Sequence, residues 1–386
     1  MSARTAWSRA ASAGALAAAA ALLPTSIAVG TSGYAPCTPA ALPAVGGTDG
    51  EVMWITSSGY YVGGTTNGQT NPDGSPAFQA AYWTHNGAGY QVHALPHDPL
   101  VDDEVLDVNE SGRMVDYGLD PATSTGQTWV FDLPTGRWWH LPTLRGDDTR
   151  GRRINASGVV AGGANDQHGY GFATTWSPPY TSIVKLPRLG NYGSYAPGVN
   201  DDGVTVGAVN KSRFTPAYDK TMQHLGPHAY FPLTLPVEWA ANGSPKELDV
   251  IATQAETFAL NNSGTVVGSG DLTLTGFTWD ALWWDASHRA HDMGGTPGSD
   301  FTEARGVSQG GWAAGGGFSF ETGTGQAFVW TGTGTLQPLA ALSGDDGDSN
   351  AHAVNDVRHQ VGGWSQATDG SEPATVWQCP LSFTTG

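Results

Sequence analysis

The decapeptide INASGVVAGG, starting at Ile154, recurs along the whole chain. VNESGRMVDY starts at Val108, VNDDGVTVGA at Val199 and LNNSGTVVGS at Leu260, with looser variants at Ile55, Val307 and Val354. The seven copies stand 45 to 61 positions apart. Such a period marks a chain that builds one supersecondary unit repeatedly and buries each copy against its neighbours.

Each copy contains a turn. Asn and Ser suit the early positions of a type I turn, and Gly closes it in the left-handed region. The β-branched residues on either side read as two strands. Downstream lies an aromatic run ending at Trp83, Phe131, Trp176, Trp239, Trp284, Trp330 or Trp377, and in the first six copies a leucine-containing segment such as HALP, WHLP or VKLP follows. The unit is therefore four short antiparallel strands. One such sheet cannot bury both faces, whereas seven arranged radially can. An all-β, seven-bladed β-propeller is expected, with blade hairpins beginning near residues 55, 108, 154, 199, 260, 307 and 354.

The seventh copy ends after Trp377-Gln-Cys379-Pro without room for a fourth strand, and ALPAVGG near residues 40–47 matches the missing slot. The N-terminal segment is thus expected to close the last blade. That closure would set Cys37 beside Cys379, the chain's two cysteines, and an even pair in an exported chain reads as a disulfide.

Export is the reading of the first residues. Arg4 and Arg9 precede an Ala-rich apolar run, and small residues at Ser26 and Ala28 suit a processing site. Residues 1–28 are expected to be a secretory signal peptide and 29–386 a single propeller domain, secreted and extracellular. The run is too short to span a bilayer. The chain carries 35 Asp and Glu against 17 Lys and Arg, a balance that disfavours nucleic acid and anionic membranes.

The pattern I-N-x-x-G-x-V-V-G followed by an alanine–aromatic–x–Trp strand resembles the HAF-repeat extracellular proteins of bacteria. The resemblance spans nearly all of residues 50 to 377, and the eponymous step survives as Gln326-Ala327-Phe328 and as His228-Ala229-Tyr230. It implies a propeller-like extracellular protein and transfers no residue roles.

Function is expected opposite the uniform turns, on the face carrying the loops between strands two and three and between blades. Those interblade loops collect acids: Asp98, Asp102 and Asp103; Asp147 and Asp148; Asp300 and Glu303; Asp345, Asp346 and Asp348. Asp103, Asp148, Asp300 and Asp346 are the ligand-binding candidates among them, and Asp345, Asp346 and Asp348 are the best set for Ca²⁺. A long insertion in the fourth copy adds Tyr218 and Tyr230. Trp279, outside the repeated tryptophan column, is a candidate stacking platform. No G-x-S-x-G, H-E-x-x-H or cysteine-rich metal set is present.

These features predict a monomeric binding module that recognises a glycan or a secreted or surface protein. Two other classes stay open: a polysaccharide-cleaving hydrolase or lyase using paired carboxylates from the Asp148, Asp300 and Asp346 region, and a structural subunit of a secreted assembly.

Overall fold

Seven four-stranded antiparallel sheets form the molecule, and no helix occurs among the described residues. The computed structural model describes residues 34–386 apart from 71–75, 88, 190–192, 212–232, 252–253, 273–277, 346, 382 and 384–386. The expected leader, Tyr218, Tyr230 and Asp346 lie outside the described residues. Among the described residues no helix is long and apolar enough to cross a membrane.

Blade 1 runs from Gly50 to Ala94, blade 2 from Val101 to His140 and blade 3 from Arg145 to Lys185. Blade 4 runs from Ser194 to Glu247, blade 5 from Ala255 to Gly294 and blade 6 from Phe301 to Pro338. Blade 7 takes three strands from Ser349 to Gln378 and its fourth, Thr38–Ala41, from the other end of the chain. The ring is therefore a seven-bladed β-propeller closed by its N-terminal strand. That strand pairs with the Trp377 strand, Pro39 opposite Trp377, and the Cys37–Cys379 disulfide staples the seam across 342 residues.

The closing strand lies slightly earlier than residues 40–47. Leu42-Pro43 ends it, as Leu141-Pro142 and Leu186-Pro187 end the fourth strands of blades 2 and 3. Proline has no amide hydrogen to continue a ladder. The freed carbonyl has a second use. The indole Nε1 of Trp83, Trp176 and Trp239 donates to the carbonyl oxygen of Pro43, Pro142 and Pro187 respectively, each in the preceding blade, at 2.7 to 2.9 Å. Trp284 and Trp377 do the same to Asp249 and Ala340. These five tryptophans are 0% exposed, so the large ring is buried between sheets with its one polar atom satisfied.

The turn asparagines carry a second interblade link. Within its own turn, Asn155 Oδ1 accepts from the Val159 amide, and Gly158 sits at φ 85°. Its Nδ2 donates to the Asn200 carbonyl of the next blade. Asn109 donates likewise to Asn155, Asn200 to Asn261, Asn261 to Ser308, and Asn355 across the seam to Thr56. The repeated asparagine thus both makes its hairpin and clips the hairpin to the following one.

Every innermost strand carries a β-bulge three residues before this turn position. The facing position of the second strand is Gly in six blades. A Cβ on Gly64, Gly207 or Gly268 would lie 1.9 Å from a carbonyl oxygen of the first strand. Blade 2 alone departs, with Asp116 in that column.

Two outcomes are expected from denaturant titration. Asn155→Ala removes both functions of the side chain and should cost about 1–3 kcal/mol, whereas Asn242→Ala, on an exposed outer turn, should cost well under half as much. Reduction of the disulfide should lower stability by up to ~5 kcal/mol on the loop-entropy model.

Candidate functional site

The inner strands bring charge to the ring axis. Five residues before the turn position stand Glu51, Glu104, Arg150, Tyr195, Glu256, Glu303 and Asn350. Three residues before it, at the bulge, stand Arg152, Arg305 and His352 among others. These groups pair among themselves: Glu303 with Arg305, Glu51 with His352 across the seam, and the Tyr195 hydroxyl with Glu256. Arg152 feels Arg305 from three blades away, and burial together with the neighbouring guanidiniums lowers it to about 10. Burial, and next the charge of Glu303, raise Glu256 to about 7. The axis is filled by a mutually neutralising charge network.

At the mouth on the turn face this network gives way to a cavity of about 100 Å³ lined from six blades. Trp54, Asp107 and Arg153 share its wall. The Arg153 guanidinium lies 4.1 Å from the Trp54 ring centroid. Asp107 is buried and accepts from the amides of Val108 and Ile154 at 2.7 Å each, and burial raises it to about 7 against the pull of Arg153. Sequence reasoning placed function on the opposite face. The signal for this site was the column two residues before the turn position, where Gly198, Ala259, Gly306 and Ala353 contrast with Trp54, Asp107 and Arg153.

The predicted loop-face residues divide. Asp102, Asp103, Asp147 and Asp148 belong to the inner strands of blades 2 and 3, which run further than their turn signals suggest. Asp103 is 3% exposed and its Oδ1 accepts from the Ala80 amide of the preceding blade. Thr149, Ser194 and Ser349 serve Thr128, Ala173 and Ala327 in the same way, so Asp103 occupies a seam position. It also meets Asp98 and the anomalous Asp116, with one oxygen of each within 4.8 Å of the others. Among the described residues this trio is the set whose spacing suits a cation. Burial raises Asp98, and hydrogen bonds with Asp103 and Asp116 temper the rise. Of the calcium candidates, Asp345 is exposed, and Asp348 accepts from the Gly325 amide at 2.6 Å. Asp148, raised by burial, stands in blade 3, and Asp300 precedes the first strand of blade 6.

Trp279 and Asp300 come together. The Trp279 amide donates to the Asp300 carbonyl, the Thr302 amide to the Trp279 carbonyl, and the Trp279 and Phe301 ring centroids lie 5.7 Å apart. Asp300 Oδ2 accepts from the Phe320 amide at 2.7 Å, and Phe320, 47% exposed, packs edge-on against Phe318. Two aromatic pairs, Trp279–Phe301 and Phe318–Phe320, are therefore tied to Asp300 through backbone hydrogen bonds where blades 5 and 6 meet.

No family model and no curated relative matches the sequence. Solved structures match the fold. The β-propeller domain of the Trilobed protease from Pyrococcus furiosus superposes with a TM-score of 0.56 at 11% identity, over 89% of this chain and 93% of that one. That domain has an open velcro topology; here Thr38–Ala41 seals the ring. YCF48 bound to D1 peptide gives 0.51 at 12% identity, over 90% and 98%. The Pyrococcus horikoshii acylaminoacyl peptidase gives 0.55 at 10% identity over 88% of this chain, which spans about half of the peptidase, 53%. At such identities the likeness establishes the propeller architecture.

The pH dependence of stability follows from Glu256 and Asp107. Each binds its proton more tightly folded than unfolded, so stability falls as pH rises from about 4 to about 7. The unfolding free energy from urea titration should be higher at pH 5 than at pH 8, and Glu256→Gln should shrink that difference by about 1–3 kcal/mol.

Proposed function

We propose that the chain is an exported, monomeric binding module whose loop face recognises a glycan at the junction of blades 5 and 6. The carrying observation is that the Trp279–Phe301 and Phe318–Phe320 pairs both adjoin Asp300, through the Trp279 and Phe320 amides. Aromatic faces stack on the apolar side of a sugar ring, and a fixed carboxylate accepts from its hydroxyls. Export is supported by the composition of residues 1–28, by the disulfide and by the resemblance to HAF-repeat extracellular proteins.

A protein partner is the second reading. It is favoured by the likeness to YCF48, solved with a bound D1 peptide, because a propeller rim is broad enough for an extended segment. Cleavage by paired carboxylates has weaker support, since Asp148 and Asp300 belong to blades nearly opposite in the ring.

Retention of the protein on insoluble polysaccharides, with released sugar measured in the same tubes, tests the glycan reading. Retention without product is expected, weakened at least tenfold by Trp279→Ala and by Phe320→Ala. Product release that depends on a single carboxylate would make it an enzyme. Retention indifferent to both aromatic substitutions would sink the site.

A further inference from the structure

We propose that the turn-face mouth of the central channel is a carboxylate-binding site anchored by Arg153, independent of the loop-face reading. The ligand is a small carboxylate, presented by a free organic acid or by the terminus of a peptide.

Most of the hydrogen-bonding capacity around this cavity is already spent. Three carboxylates line it, and each is engaged twice. Asp107 accepts from two backbone amides. Glu110 takes the Ser58 amide and the Ser58 hydroxyl. Asp201 takes the Ala156 amide and the Asn262 side-chain amide. The turn asparagines Asn109, Asn155 and Asn200 use Nδ2 on the next blade and Oδ1 within their own turns.

Among the described residues, Arg153 is the one cation in the wall. One Nη donates to the Leu106 carbonyl at 3.0 Å, while its buried Nε has no acceptor. A guanidinium offers five donors in a planar fork that matches a carboxylate. Stacking on Trp54 holds that plane in place. The unmet demand of the cavity is therefore for an acceptor, and the fork geometry of the guanidinium favours a carboxylate.

Size and walls narrow the choice. About 100 Å³ admits a carboxylate and a few carbons. Val108, Ile154, Val199, Leu260 and Val307 give those carbons an apolar surround. The column of small residues in blades 4 to 7 leaves the side opposite Arg153 uncrowded.

Calorimetric titration of the purified protein with propionate, and with Gly-Gly-Ala bearing a free or an amidated C-terminus, tests the site. One saturable site for an acid, with the amide at least tenfold weaker, is expected. Binding of propionate alone would identify a free acid as the source, and binding of the tripeptide acid alone a chain terminus. Arg153→Gln should weaken binding at least tenfold, Arg153→Lys less, and the exposed Arg137→Gln not at all. A wild-type readout guards against an unfolded variant: with nitrogen-15-labelled arginine, one protected Nε–H resonance should move on saturation. Equal affinity for acid and amide, no binding to any probe, or no arginine resonance that moves would overturn the proposal.

Discussion

The fold depends on hydrogen bonds that cross from one blade to the next. A four-stranded sheet with Trp on one face and Val on the other has no stable life alone, because each face needs a partner. Apolar burial supplies most of the attraction between sheets, but it is non-directional. Direction comes from three recurring polar links: indole to the Leu-Pro carbonyl, turn asparagine to the next turn, and seam oxygen to the preceding third strand. Each sits between surfaces that exclude water, where an unmade bond would cost more than a made one gains. These links help set the rotation between blades, and so allow seven copies to meet end to end.

Closure is the second constraint, and it explains the ends of the chain. Blade 7 is completed from the N-terminus, so its sheet joins residues more than three hundred positions apart. The disulfide and the Asn355 clip to Thr56 lie at the same junction. An open ring would expose the edge of the Trp377 strand to pairing with another chain. The staple therefore protects the part of the molecule that the rest of the ring holds least directly.

Much of this was legible in the repeats. The four-strand grammar, the count of seven, the closing strand and the Cys37–Cys379 pair follow from period and leftover segments. What escaped was side-chain direction. INASG reads as backbone chemistry, and the turn does use Asn155 that way, yet its Nδ2 points along a path visible only once the next blade is in place. Asp103 reads as a loop acid because it follows HALPHDP, whose Pro96 and Pro99 mark a connection between blades. In the fold it is a strand residue doing the work of a threonine. The axial charges were missed because Glu104, Arg150 and Glu256 are far apart in sequence and align only when the copies are stacked on the turn residue.

That alignment shows where selection for a scaffold ends. In a repeat protein the common residue in a column reports what the architecture requires, and a departure must be compensated locally. Asp116 replaces the glycine that stands in this column in the other six blades. Trp54, Asp107 and Arg153 replace small residues in a column where neighbouring inner strands crowd, and Arg153 lies over the Trp54 ring and feels the charge of Asp107. Asp107 and Arg153 do link blades 2 and 3, to the Ile154 amide and the Leu106 carbonyl. Asp116 puts a third acid beside the buried Asp103 and half-buried Asp98, and Arg153 still carries a donor without an acceptor. Both raise the cost of the folded state in ways a glycine or alanine would not, which is the pattern expected where a binding site is written over a structural repeat.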